Sequence, residues 1–364
     1  MLKSTYALPP LPPPGELESS AVLRALARAH RPLAELKGRA ASMPNQAILI
    51  DTLTLQEAKA SSEIENIVTT QDELFQADVL LDDRGSLTAK EVARYRDALK
   101  RGFDTLHQSQ GLLTCNGMIE MFRVLKRTDE GFRVTPGTAL KNDASGAIVY
   151  VPPQDPAEVL AAMSALERFI NEDEPNDLDP LLKMAVIHHQ FESIHPFTDG
   201  NGRIGRILNV LYLARVGLLE IPILYLSRYI TSHKAQYYRL LQSVRDDADW
   251  EPWLLFMLEA VAVTARHTLD IVEGMRLLMA DYKRRMREDS NVKYSQELLN
   301  NLFRHPYTRI EFVQTDLSVT RQTAARYLEQ LAASGFVEKH QQGRHNYYIN
   351  TPLIALLMRA PEAG

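Results

Sequence analysis

Apolar residues recur at helical spacing over most of this chain. In AVLRALARAHRPLAELKG, Val22, Leu26 and Leu33 fall on one side of a helix that begins near residue 21, with Pro32 as a break or kink. LTLQEAKASSEIENIV (53–68), rich in good helix formers, predicts a second helix. The same period predicts helices over 88–109, 115–127, 156–171, 180–194, 203–217, 231–245 and 250–280. Segment 132–153, FRVTPGTALKNDASGAIVYVPP, breaks the pattern. β-prone residues flank a polar KNDASG turn and two prolines close the run, which predicts a β-hairpin lying on other structure. No repeat of fixed period is visible.

Beyond residue 280 the pattern changes. KRRMREDSNVK (283–293) reads as a linker or a helix end, and the last domain boundary falls there. Helices are expected over 294–303 and 308–316. A third spans 318–335, with Ser318 or Thr320 as N-cap and Ala324, Leu328 and Leu331 on one face. FVEKHQQGRHNYYIN then reads as a hairpin turning at Gly343. Helix, helix, helix, hairpin is the order of a winged helix-turn-helix. In that arrangement Arg321, Gln322 and Arg326 would face a DNA major groove and Arg344 would tip the wing. Residues 293–364 hold eight Lys/Arg against six Asp/Glu, a balance of +2. So weak a footprint leaves DNA binding and protein contact both open.

At the other end, LPPLPPP (8–14) excludes helix and central strand. It reads as an extended arm lying on the protein in preference to a ligand for a proline-binding domain. The expected organisation is therefore a proline-rich arm (1–20), a helical region (21–110), a catalytic core (111–285) and a winged helix domain (293–364). The fold class is mainly α, a helical bundle carrying a β-hairpin.

At 364 residues the chain is long enough for two or three domains, and its net charge of −5 argues against a basic nucleic-acid coat. Cys115, the one cysteine, excludes an intramolecular disulfide framework, and the first residues show no apolar signal segment, which points to the cytoplasm. WLLFMLEAVAVTA (253–265) is interrupted by Glu259 and reads as a buried helix, not a membrane span, with Trp250 and Trp253 in the core.

The chemistry concentrates in HHQFESIHPFTDGNGRIGR (188–206). Pro196 disfavours α conformation at His195, so the helix ends there and His195 opens a loop. Gly200 and Gly202 permit positive φ and close backbone approach. A new helix starts near Gly202 or Arg203, and its free N–H groups and dipole make an anion site. Arg203 and Arg206, three apart, lie on one face and suit a polyphosphate. Asp199 is a hard ligand for Mg²⁺, and His195 is free to accept a proton from a hydroxyl. The pattern points to phosphoryl or nucleotidyl transfer. Zinc bound by His188, His189 and His195 is disfavoured, because adjacent helical histidines point apart.

HPFTDGNGRIGR also resembles the signature of the Fic family, His-Pro-Phe-x-(Asp/Glu)-Gly-Asn-Gly-Arg-x-x-Arg, with every fixed position present. The resemblance spans roughly residues 20–285 and implies AMP transfer from Mg²⁺·ATP to a protein hydroxyl. It implies His195 as general base, Phe197 as the loop's anchor and Asp199 as the Mg²⁺ ligand. Gly200, Asn201, Gly202, Arg203, Ile204, Gly205 and Arg206 form the nucleotide loop. A tyrosine bordering the adenine would be Tyr237 or Tyr238, with Tyr238 preferred. The hairpin would correspond to the family's target-docking flap, with Tyr150 and Val151 as edge residues. SSEIEN (61–66) fits the family's inhibitory motif through Ser61, Glu65 and Asn66, so Glu65 would pair with Arg206 and misplace ATP. These implications describe a cytoplasmic protein adenylyltransferase, autoinhibited in cis, that modifies Ser, Thr or Tyr of a protein, itself included. Homodimerisation is left open. The rival expectations are AMP removal at the same site and a DNA-binding regulator whose core senses nucleotide.

Overall fold

The computed structural model describes residues 6–70, 73–74, 86–141, 146–172, 178–342 and 345–359. In its first part, α1 (Ser20–Ala41), α2 (Ala47–Ile64), α3 (Leu87–Gln108) and α4 (Cys115–Lys126) precede a minimal hairpin of β1 (Leu140–Lys141) and β2 (Ile148–Tyr150). There follow α5 (Pro156–Asn171), α6 (Pro180–Ile194), α7 (Asn201–Arg215), α8 (Leu226–Ser232), α9 (Lys234–Asp247) and the 39-residue α10 (Trp250–Glu288).

Local chemistry sets several of these boundaries. Asp155 and Asp179 cap α5 and α6 by accepting from Ala157 N and Leu181 N, and a proline occupies the first turn of each. Helix α6 stops at His195, whose φ of 49° is left-handed, just before Pro196. Helix α6 is buried all round, as is most of α7, so the pair forms the centre of the core with the other helices packed about it.

Three expectations need correcting. Helix α1 runs unbroken through the buried Pro32, because packing along α10 outweighs one missing backbone hydrogen bond. The helix expected over 231–245 is two, α8 and α9, parted at His233. The helix expected to stop at 280 continues into the charged stretch, of whose two readings, linker or helix end, the helix end holds. Arg284 and Arg285 pair with Asp281 and Glu288 at three- and four-residue spacing, which carries α10 to Glu288.

The last part comprises α11 (Gln296–Arg304), β3 (Tyr307–Thr308), α12 (Ile310–Leu317), α13 (Arg321–Ala333), β4 (Glu338–Gln342), β5 (His345–Ile349) and α14 (Thr351–Leu357). The sheet order is β3-β5-β4, all antiparallel, with Tyr307 opposite Ile349 and Glu338 opposite the same residue. Tyr282 of α10 ties this part to the rest, donating its hydroxyl to Phe336 O at 2.8 Å and meeting Asn350 Oδ1 at 3.0 Å. The N-terminal arm lies on the protein. Gln190 Nε2 donates to Pro9 O at 3.3 Å, and the Tyr6 ring meets Tyr150 edge-on.

Candidate active site

The loop 195–200 is held from both ends. Asn201 folds back on Phe197, accepting from its N–H at 2.8 Å and donating to its carbonyl at 2.9 Å. The Phe197 ring stacks on Phe122 with centroids 4.2 Å apart. Gly200 adopts φ 75° as the N-cap of α7, a conformation that costs a side-chain-bearing residue but not glycine. His195 is half-buried at the end of α6, with its Nδ1 turned inward and enclosed. Burial, followed by the charges of Arg245 and Arg133, lowers its pKa to about 3, so the ring is neutral. Arg133 clasps this turn: Nε donates to His195 O at 2.8 Å and its main-chain N–H to Pro196 O at 2.8 Å.

Both signature arginines turn inward and converge on one carboxylate. Glu65 caps the end of α2. Its Oε1 accepts from Arg206 Nη2 at 2.8 Å, and its Oε2 accepts from Arg203 Nε at 2.9 Å. Ser61, one turn earlier, accepts from Arg206 Nε through Oγ at 2.8 Å and from Nη2 through its carbonyl at 3.0 Å. Arg203 also donates to Glu91 Oε1 at 2.7 Å. Burial opposes the charge on Arg206, but the neighbouring Glu65 carboxylate outweighs it and raises the pKa. Gly202 sits under this junction. A Cβ there would come within 2.5 Å of Glu65 Oε1, so only glycine admits the carboxylate. Asn66 takes a left-handed φ of 62° just past α2, and its Oδ1 accepts from Lys234 Nζ at 2.9 Å.

Asp199 lies at the mouth of the loop, mostly exposed. Its Oδ2 meets Lys126 Nζ at 2.5 Å and its Oδ1 accepts from Gly200 N at 2.6 Å. Despite partial burial, Lys126 holds this carboxyl below its ordinary pKa. Gly205 passes over α6, where a Cβ would lie 2.9 Å from Glu192 Oε1, and Ile204 beside it is buried. Among the described residues, no three His, Cys, Asp or Glu side chains gather as a metal site.

The two tyrosines part company. Tyr237 is buried against His188, whose Nε2 lies 2.8 Å from its hydroxyl, while Asn209 Nδ2 donates to His188 Nδ1 at 3.1 Å. Burial lowers the His188 pKa to about 3, so this histidine is a neutral internal strut, and its ring stacks on Trp253. Tyr238 is 47 % exposed and stands beside Tyr237. In the hairpin, Tyr150 and Val151 are buried, and the Tyr150 hydroxyl donates to Ser193 O at 2.6 Å. The apolar side chains that face out are those of Ile148 and Val149. Arg321, Gln322 and Arg326 are exposed on α13, with Arg321 paired to Glu311 at 2.5 Å; Arg344 lies outside the described residues. Sequence reading missed Glu91, Lys126 and Arg133, none of which belongs to a run that marks it, and Glu192, which stands inside the 188–206 run but outside its recognisable turn chemistry.

Three family models match in succession: the Fic/DOC family N-terminal model over residues 23–104, the Fic/DOC family model over 113–213 and the C-terminal domain model of SoFic-like protein adenylyltransferases over 278–353. Protein adenylyltransferase Fic of Drosophila grimshawi is 31 % identical over 115 residues, 32 % of this chain and 22 % of that protein. The Culex quinquefasciatus protein of the same name is 31 % identical over 122 residues, 34 % and 22 % of the two chains. The match thus spans about a fifth of the length of these relatives. A Fic family protein from Desulfovibrio desulfuricans G20 shares the fold, with a TM-score of 0.54 at 20 % identity, covering 92 % of this chain and 98 % of its own. A Caenorhabditis elegans Fic-1 fragment aligns with a TM-score of 0.53 at 19 % identity, covering 70 % and 74 %. Among the described residues no helix is long and apolar enough to cross a membrane. With the complete signature loop closing on its own arginines and three successive family models along its length, the chain belongs to the Fic family.

Proposed function

We propose that this protein is a protein adenylyltransferase, held off in cis by Glu65. It would move AMP from ATP to a Ser, Thr or Tyr hydroxyl, including one of its own. The observation that carries this reading is the convergence of Arg203 and Arg206, in the helix that follows the His195 loop, on Glu65. Buried arginines at a helix start are phosphate ligands in waiting, and a carboxylate that occupies both stands where phosphate charge would go. With Glu65 withdrawn, Arg206 would take the far end of the triphosphate and the α7 start the rest. His195, neutral above about pH 3, accepts the proton of the incoming hydroxyl. The hydroxyl oxygen bonds to the α-phosphorus as the bond to the bridging oxygen breaks, and pyrophosphate departs.

Asp199 is the residue that would hold Mg²⁺. A single outward carboxylate beside a phosphate site suits an ion that keeps several waters and shares phosphate oxygens. That ion, when bound, offsets phosphate charge. Lys126, which pairs with Asp199 here, would have to give way. The exposed Tyr238 is the candidate for the adenine edge. Ile148, Val149 and the main chain of Tyr150 and Val151 are candidates for target docking.

Transfer from ATP labelled at the α-phosphate, with cell lysate as acceptor, tests the reading. Wild type should label weakly, Glu65→Gly strongly, and Glu65→Gly with His195→Ala not at all. Equal labelling by wild type and Glu65→Gly would remove the lock. No labelling by any variant that still binds ATP would remove the transfer.

A further inference from the structure

Helix α2, which ends in Ser61 and Glu65, is gripped near its start by the C-terminal domain. Asp51 uses both carboxylate oxygens: Oδ1 accepts from Lys100 Nζ of α3, and Oδ2 accepts from Arg304 Nε of α11 at 2.5 Å. Although Asp51 is partly buried, these two cations keep its carboxyl below the ordinary range, so the pair is charged in the folded state. Helix α11 packs directly against α2. It is not free to slide within its own domain. Asn350 Nδ2 donates to Leu302 O at 3.0 Å, and Asn301 bridges Asp316 and Thr308 at 2.8 and 2.7 Å. A displacement of the C-terminal domain therefore carries Arg304 with it.

Asp51 and Glu65 are two heptads apart on nearly the same stripe of α2, about 21 Å along its axis. A continuous helix passes movement at one end to the other as a rod, because bending or stretching it would break its backbone hydrogen bonds. At the far end the tolerance is small. A shift of about 1 Å at Glu65 takes contacts of 2.8 and 2.9 Å beyond hydrogen-bond range. Between the two ends, Glu57 is fixed by Ser227 N at 2.9 Å and Tyr95 Oη at 3.2 Å, so α2 rocks about its middle more readily than it translates whole.

We propose that the C-terminal domain regulates transfer from within the chain, by holding α2 in the register that presents Glu65 to Arg203 and Arg206, with the Asp51–Arg304 contact as the hold. This rests on the reading of Glu65 as the lock. Whatever binds or shifts the domain acts on nucleotide access through this contact, with no ligand of its own at the active site.

The test uses the full chain. Transfer rates are compared for wild type, Arg304→Ala, Arg304→Lys, Glu65→Gly and Arg304→Ala with Glu65→Gly, together with amide hydrogen exchange over residues 58–66. Arg304→Ala should raise transfer about two- to fivefold, the shift that losing one part-exposed ion pair produces, and should speed exchange at the end of α2. Arg304→Lys should restore most of the hold, and Arg304→Ala should add nothing once Glu65 is gone. Wild-type rate and exchange in Arg304→Ala would overturn the inference, as would an equal increase in the Glu65→Gly background. If Glu65→Gly itself fails to activate, the lock reading falls, while faster exchange in Arg304→Ala still reports the coupling. Unchanged exchange then removes that too.

Discussion

Glu192 offers a quantitative test of the electrostatics beneath the signature loop. The side chain is buried under Gly205, and its Oε1 has no hydrogen-bond partner among the described residues. Burial raises its pKa to about 7 from the ordinary 4.5; Glu65 adds to the rise, while Arg206 and Arg245 oppose it. A carboxyl raised by folding favours the folded state fully below its unfolded pKa, and that contribution is lost as pH rises through the folded pKa. From about pH 5.5 to about pH 8, the loss amounts to about 2 kcal/mol. His188 and His195, both lowered to about 3, run the other way, since the unfolded chain takes up their protons below about pH 6.5. The raw pH profile therefore mixes opposed trends, and the informative quantity is a difference. Urea unfolding of wild type and Glu192→Gln at both pH values should show the variant gaining about 2 kcal/mol on wild type at the alkaline end. In a Glu65→Gly background the gain should shrink, because a like charge has gone. Parallel profiles for wild type and Glu192→Gln would refute the reasoning and place the Glu192 carboxylate in contact with water or ionised at neutral pH.

Three other outcomes are expected. Gly205→Ala drives a methyl to 2.9 Å from Glu192 and should destabilise the fold by about 1–3 kcal/mol in denaturant unfolding. Phe197→Ala removes the ring stacked on Phe122 and should cost about 3–5 kcal/mol by the same measurement, loosening the loop before ATP is involved. If the proposed function holds, Arg133→Ala, which frees the His195 carbonyl, should lower kcat for transfer in a Glu65→Gly background by about tenfold or more while leaving the KM for ATP nearly unchanged, since the residue touches the backbone of the proposed base and not the proposed phosphate ligands.

The residue-level start of α6 was readable because the signals are local: Asp179 caps, Pro180 starts and Pro196 stops. The turn that follows was readable for the same reason, since the helix end at His195, the left-handed Gly200 and the start of α7 all fall within twelve consecutive residues. Pro32 misled because a proline's local cost says nothing of the α10 surface that holds α1 straight. The split at His233 was invisible because both segments share one period. Glu91 and Lys126 come to the site from separate helices and Arg133 from the segment before the hairpin, and no spacing rule connects positions so far apart in sequence. Tyr237 and Tyr238 are adjacent in sequence and opposite in setting, one locked to His188 and the other facing outward. Only the direction in which α9 presents them separates the two.

Helix α10 begins in the core at Trp250 and ends beyond Tyr282, which fastens the C-terminal domain, so one unbroken rod of about 58 Å serves both. The angular setting of the domain is therefore counted in residues. Removing one residue from the stretch before Tyr282 would turn everything downstream by about 100° and draw it in by about 1.5 Å. Arg304 would then face away from Asp51. Single-residue insertions and deletions here should be as disruptive as those in a core strand, whereas a length change of seven residues nearly restores the phase and lengthens the reach instead.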